Sequence, residues 1–255
     1  MNKNITWMPA PDSVSLKTGE CHLHYLQVAH IDTSAKYIQY LDFHEKKRAE
    51  QIKNPLDRAR FILARTTLRQ LLSQYLQLPL ASIEFHYNAW GKPFVTAPLS
   101  FNVSHAGNSI VLAFTQGVVP VGVDIEYLHR EHDLLKIARR YFSEAEYQAL
   151  LQASSCDIKA YFYHLWTQKE AFVKAQGVGL SYGLRSFTVK NYPEAGLVCV
   201  DKDANEAGEW QMVSFAPCED VVGALAIRAP RVVLRCYSVI NGFNKLGGHR
   251  VGNSP

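Results

Sequence analysis

No stretch of this chain is apolar for long enough to cross a bilayer, and its first residues, Met1 to Ser13, carry prolines where an export signal needs an apolar segment. A cysteine framework is missing as well. The five cysteines, Cys21, Cys156, Cys199, Cys218 and Cys236, are odd in number and show no C-x-x-C spacing, so neither a disulfide scaffold nor a zinc site is expected. There is no G-x-x-x-x-G-K-[ST] loop and no kinase signature, which sets aside the familiar phosphate-binding loops. Charge of one sign is scarce: the formal net charge is +4, which fits an acidic or phosphorylated partner without demanding nucleic acid. These absences describe a cytoplasmic globular protein in a reducing compartment. With 47% apolar residues over 255 positions, it can bury one large core or two smaller ones.

What is present is chemically pointed. In Val121-Gly122-Val123-Asp124-Ile125-Glu126, strand alternation sends Asp124 and Glu126 to one face. In Trp166-Thr167-Gln168-Lys169-Glu170-Ala171-Phe172-Val173-Lys174, helical spacing puts Trp166, Glu170 and Lys174 on one stripe with Lys169 at its flank. Two strand carboxylates that meet a third on a helix repel one another unless a cation lies between them. Hard oxygen ligands favour magnesium or manganese, and magnesium completes its shell with water and substrate phosphates. The pattern reads as a phosphotransfer site.

Around these motifs, His22 to Ile31 alternates like a strand, and Ile38 to Tyr75 reads as helical with a break at Asn54-Pro55. Strand patterns follow at Ile83 to Tyr87 and Ile110 to Thr115, with a turn at Trp90-Gly91-Lys92-Pro93. After Gly117 to Pro120 the order restarts: strand 121–126, helices Leu134 to Leu151 and Asp157 to Ala175, strand Ser186 to Lys190. Val103-Ser104-His105-Ala106 with Ile110 to Phe114 is echoed by Val213-Ser214-Phe215-Ala216 with Val222 to Ile227, as a duplicated α+β unit would require. The expected divisions are 1–118, 119–240 and a flexible tail, 241–255.

Four blocks in order, Trp90 to Pro93, Phe101-Asn102-Val103-Ser104-His105, Val121 to Glu126, and Trp166 to Lys174 followed by Gly177-Val178-Gly179-Leu180-Ser181, resemble the 4′-phosphopantetheinyl transferases of the larger, surfactin-type class. The resemblance covers roughly Ile38 to Val189. It implies an α+β fold of two similar subdomains about a pseudo-twofold axis. It also implies transfer of phosphopantetheine from coenzyme A to a serine of an apo acyl or peptidyl carrier protein, by a monomer. Asp124, Glu126 and Glu170 would hold magnesium, with manganese possible, on the diphosphate of coenzyme A. Glu170 would be the base, directly or through water, and Lys174 would meet charge on the phosphates. Lys169 would bind phosphate or the cofactor arm, and Lys92, Ser104 and His105 match cofactor-phosphate contacts. Of the basic series Lys46, Arg48, Arg60 and Arg65, Arg48 and Arg60 are the choices for the 3′-phosphate. Exposed basic residues around Arg130 to Arg140 would help to dock an acidic carrier.

Each assignment has a plainer counterpart. A charge run such as Lys46 to Arg65 is by default a solvated helix face, and for Arg65 that is the expectation. Cys21-His22-Leu23-His24 invites a metal reading, but alternating histidines without further ligands are expected at the surface. The competing functional class is a nucleic-acid-binding module using the basic 46–69 region, against which the acidic cluster argues.

Overall fold

Each half of the chain opens with a strand, continues into helices and closes with a hairpin. The computed structural model describes residues 5–28, 37–129, 133–154, 157–201 and 203–239. The expected tail from 241, and Arg130 of the expected docking surface, lie outside them. First come β1 (Met8–Pro9), β2 (Glu20–Gln27), α1 (Phe43–Gln51), α2 (Pro55–Leu76), the short β3 (His86–Tyr87) and β4 (Pro93–Phe94), and the hairpin β5 (Leu99–Ala106) and β6 (Ser109–Gln116). Then follow β7 (Val121–Tyr127), α3 (Leu134–Tyr141), α4 (Glu144–Leu151), α5 (Ile158–Gln176), β8 (Phe187–Val189), β9 (Leu197–Val200), α6 (Ala204–Ala207), the hairpin β10 (Gln211–Cys218) and β11 (Val221–Ile227), and β12 (Val233–Ser238).

Local chemistry sets the boundaries. The Asn54 side chain accepts from the amides of Leu56 and Asp57, and Pro55 lacks the amide that a first helical turn leaves unpaired, so α2 starts there. The expected single helix over Leu134 to Leu151 is two helices. Ser143 and Glu146 form a capping box that starts α4 afresh after Phe142. The expected strand from Ile83 is reduced to His86–Tyr87, which pairs with Pro93–Phe94 across the Trp90 turn.

One sheet has the order β1-β12-β2-β6-β5 and a second the order β10-β11-β7. The runs β2-β6-β5 and β7-β11-β10 therefore repeat one plan, with a long helix between the first strand and the hairpin each time. The fold is mixed α+β. Where β5 approaches β7, side chains replace a backbone ladder: Asn102 Oδ1 accepts from the Val123 amide at 2.9 Å, and Ser104 Oγ accepts from the Ile125 amide at 3.2 Å. Alternation then sorts the faces. Cys21, Leu23 and Tyr25 of β2 pack with Val121, Val123 and Ile125 of β7 and Leu225 and Ile227 of β11 in a core between the sheets. That leaves Gly122, Asp124 and Glu126 on the face toward α5.

Several polar residues expected at the surface are buried. His22 and His24 sit on the α2 side of β2, each 2.8 Å from the Tyr75 hydroxyl, and His24 is fully buried. Burial holds its imidazole down to about 3, so it stays neutral. Arg65 is not on a solvated face either. It pairs with Glu45 and lies over the Phe85 ring, while Arg69 binds Glu45 and Asp42. Part of the basic surface that a nucleic-acid reading needs is thus consumed inside. Among the described residues, no helix is long and apolar enough to cross a membrane.

Candidate active site

Strand β7 and helix α5 touch at Gly122. A Cβ built there would stand 2.1 Å from the Ala171 carbonyl oxygen and 2.4 Å from the Ala175 nitrogen, so only glycine permits the approach. That contact sets the acidic face of β7 against the Glu170–Lys174 stripe. The Lys174 ammonium lies 2.6 Å from Asp124 Oδ1 and 3.0 Å from Ser104 Oγ, and Ser104 donates to the same carboxylate oxygen at 3.0 Å. Asp124 is buried, and its Oδ2 has no hydrogen-bond partner among the described residues.

Glu170 is pushed up to about 7, first by desolvation, then by the Asp124 charge and, more weakly, by that of Glu126; Lys174 opposes the shift. Glu170 therefore faces the charge of both strand carboxylates. The three carboxylates are not gathered into an ion-ready trio: among the described residues no three His, Cys, Asp or Glu side chains are placed to hold a metal. The His105 imidazole is held below its ordinary value by desolvation, then by the Arg60 guanidinium and the Lys174 ammonium, with Asp124 opposing. Arg60 donates to the Gly107 carbonyl at 2.7 Å and pairs with Asp57. Arg60, Ser104, His105, Asp124, Glu126, Glu170 and Lys174 thus form one electrostatic neighbourhood.

Three expected residues are put to other use. Arg48 is exposed on α1, its guanidinium 5.3 Å from the centroid of the Phe61 ring. Lys169 is fully buried, and its ammonium binds Glu146 and the Phe187 carbonyl, each at 2.8 Å. One position from Glu170 on a helix is about 100° of rotation, which turns Lys169 into the core. The Lys92 ammonium donates to the carbonyls of Val121 (3.0 Å), Lys174 (2.6 Å) and Ala175 (3.2 Å), using all three N–H groups. Burial draws it down to about 8, and the carbonyl acceptors favour its charged form. It ties the end of α5 to the start of β7. Trp166 supports the helix, stacked on Phe162 with ring centroids 5.8 Å apart.

Comparison with known proteins identifies the family. Residues 120–226 match the 4′-phosphopantetheinyl transferase superfamily, and residues 31–117 match 4′-phosphopantetheinyl transferase, N-terminal. The chain is 32% identical over 161 residues to the 4′-phosphopantetheinyl transferase Sfp of Bacillus subtilis, covering 62% of this chain and 70% of that protein. It is 29% identical over 228 residues to HetI of Nostoc, covering 87% and 93%. With psf-1 of Bacillus pumilus it shares 40% identity over 153 residues, 59% of this chain and 64% of that one. The chain belongs to the 4′-phosphopantetheinyl transferase family. Its reaction class is the transfer of phosphopantetheine to carrier proteins, with coenzyme A as co-substrate.

For a phosphopantetheinyl transferase, the residues that sequence reading passed over are those that hold the site together. Glu146 was readable only as a capping residue, three positions after Ser143. Gly122 carried a signal, a lone glycine in a buried strand, which marks close approach of another backbone. Asn88, which donates to the Gly177 carbonyl at 2.7 Å where α5 ends, carried none.

Proposed function

We propose that Asp124, Glu126 and Glu170 hold a magnesium ion, with manganese as an alternative, against the diphosphate of coenzyme A, and that Glu170 and Lys174 carry out the transfer. The donor set supports this reading: three hard carboxylates, one with a buried oxygen lacking a partner among the described residues. Bound there, the ion supplies positive charge to the diphosphate. Glu170 accepts the proton of the carrier serine, directly or through a water. The serine oxygen bonds to the β-phosphorus, the bond from that phosphorus to the bridging oxygen breaks, and 3′,5′-ADP leaves with the electron pair. Lys174 meets the charge that builds on the leaving side. Arg60 and His105 face the 3′-phosphate, and Ser104 orients Asp124.

The same reading treats residues 1–118 and 119–240 as halves about a pseudo-twofold axis, in a monomer working in the cytoplasm. The repeated strand order supports the two halves. The observation that carries the proposal is the close approach of β7 to α5 at Gly122, which sets the acidic face of the strand against the Glu170–Lys174 stripe. With coenzyme A, magnesium and an apo carrier, intact-mass analysis is expected to show one added phosphopantetheine per carrier. The signal should vanish with EDTA and in folded Asp124→Ala or Glu170→Ala protein. Normal transfer by both variants would refute the site.

A further inference from the structure

Asp124 already has a cation. The Lys174 ammonium is 2.6 Å from its Oδ1, which also accepts from Ser104, while its Oδ2 is buried without a hydrogen-bond partner among the described residues. A divalent ion drawn to Asp124 would meet a like charge a few ångströms away in a partly desolvated site, where repulsion exceeds its value in water. No ion-ready trio is formed among the described residues, and one of the three carboxylates is turned to an ammonium. Lys174 is not locked there. Its side chain is 29% exposed, and its unbranched stem can swing while α5 stays fixed by the Lys92 clamp at the helix end.

We propose that Lys174 is the resident counter-ion of the acidic cluster, occupying the divalent ion's place on Asp124 until a diphosphate draws its ammonium away. The inference rests on Asp124, Glu126 and Glu170 being the cation ligands. The free protein then binds divalent cations weakly, and the ion enters together with coenzyme A. Two added negative groups favour both the ion and the displaced ammonium, so each ligand raises the affinity for the other.

Manganese binding to coenzyme-A-free protein, followed by electron paramagnetic resonance of the free ion, tests this. Lys174→Gln is expected to bind Mn2+ at least about fivefold more tightly than wild type, the low end of ordinary coupling between sites. Lys174→Arg, which keeps the charge, should stay close to wild type. Lys174→Gln binding no more tightly than wild type overturns the counter-ion proposal. Asp124→Asn separates that failure from a wrong site: if it loses Mn2+ binding, the ligand assignment survives, and if it binds like wild type, the assignment and the proposal fall together. Should Lys174→Gln not fold, a wild-type crystal structure with Mg2+ and coenzyme A decides. An ammonium still within about 3 Å of Asp124, ordinary charge-assisted bonding distance, would overturn the proposal.

Discussion

Glu170 and Lys169 are neighbours in sequence with opposite fates. Without a bound cation, desolvation and then the Asp124 charge push Glu170 up from its ordinary 4.5 to about 7, so the native state keeps a proton that the unfolded chain releases. Stability without metal should therefore fall as pH rises from about 4.5 to about 7 and stay low above that. Glu170→Gln removes the titration, so in EDTA its melting temperature should exceed that of wild type at pH 8, with the gap closing toward pH 4.5. Thermal melts across that range check this; equal melting temperatures at pH 8 would show that the fold does not penalise the Glu170 charge. Lys169 sits in a fully buried ion pair with Glu146, whose carboxylate also accepts from the Val189 amide. Breaking such a pair strands a buried charge, so Lys169→Met should cost about 3–5 kcal/mol in urea unfolding. If stability holds and only coenzyme A binding weakens, Lys169 belongs to the site after all.

At the scale of elements, the site is the seam between β7 and α5. Gly122 sets its width, and Lys92 and Asn88 pin its end through the carbonyls of Val121, Lys174, Ala175 and Gly177. The carbonyls of Lys174 and Ala175, in the last turn of α5, carry the negative end of the helix dipole, which is where an ammonium is most favoured. Gly122→Ala inserts a methyl between two backbones that cannot yield as side chains do. A loss of about 1–3 kcal/mol or more is expected from overpacking, together with a fall in transfer rate as Asp124 moves away from Glu170. Chemical denaturation and the carrier assay measure the two effects. Wild-type stability in Gly122→Ala would mean that the strand and helix are not held at this spacing. The strand, the helix and their inward faces were legible in the sequence because each depends on a short period. The split at Ser143 was hidden, since the apolar pattern runs through it and only the capping box reveals the stop.

Across the whole molecule, the last described strand closes the first sheet. β12 lies parallel between β1 and β2, pairing Val233 to Ser238 with Glu20 to Tyr25, and Arg235 binds Glu20 at 2.9 Å. Deleting 233–238 would leave the edge of β2 without its ladder and open the core beside Cys236. Such a chain should lose cooperative unfolding even though every residue of the site is retained, as circular dichroism melts would show. A sharp wild-type transition would mean that the two sheets are stable without this strand.

From residue order alone came the acidic face of β7, the Glu170–Lys174 stripe, the break before Pro55 and the family blocks, because periodicity and capping act over a few residues. Packing alone decided which charges are left for chemistry. Lys92, Lys169, Arg65 and the two histidines of β2 looked available in sequence and are consumed by partners drawn from other elements. A charge's partner and its desolvation are set by what the fold brings beside it, and neither quantity exists until the chain has folded.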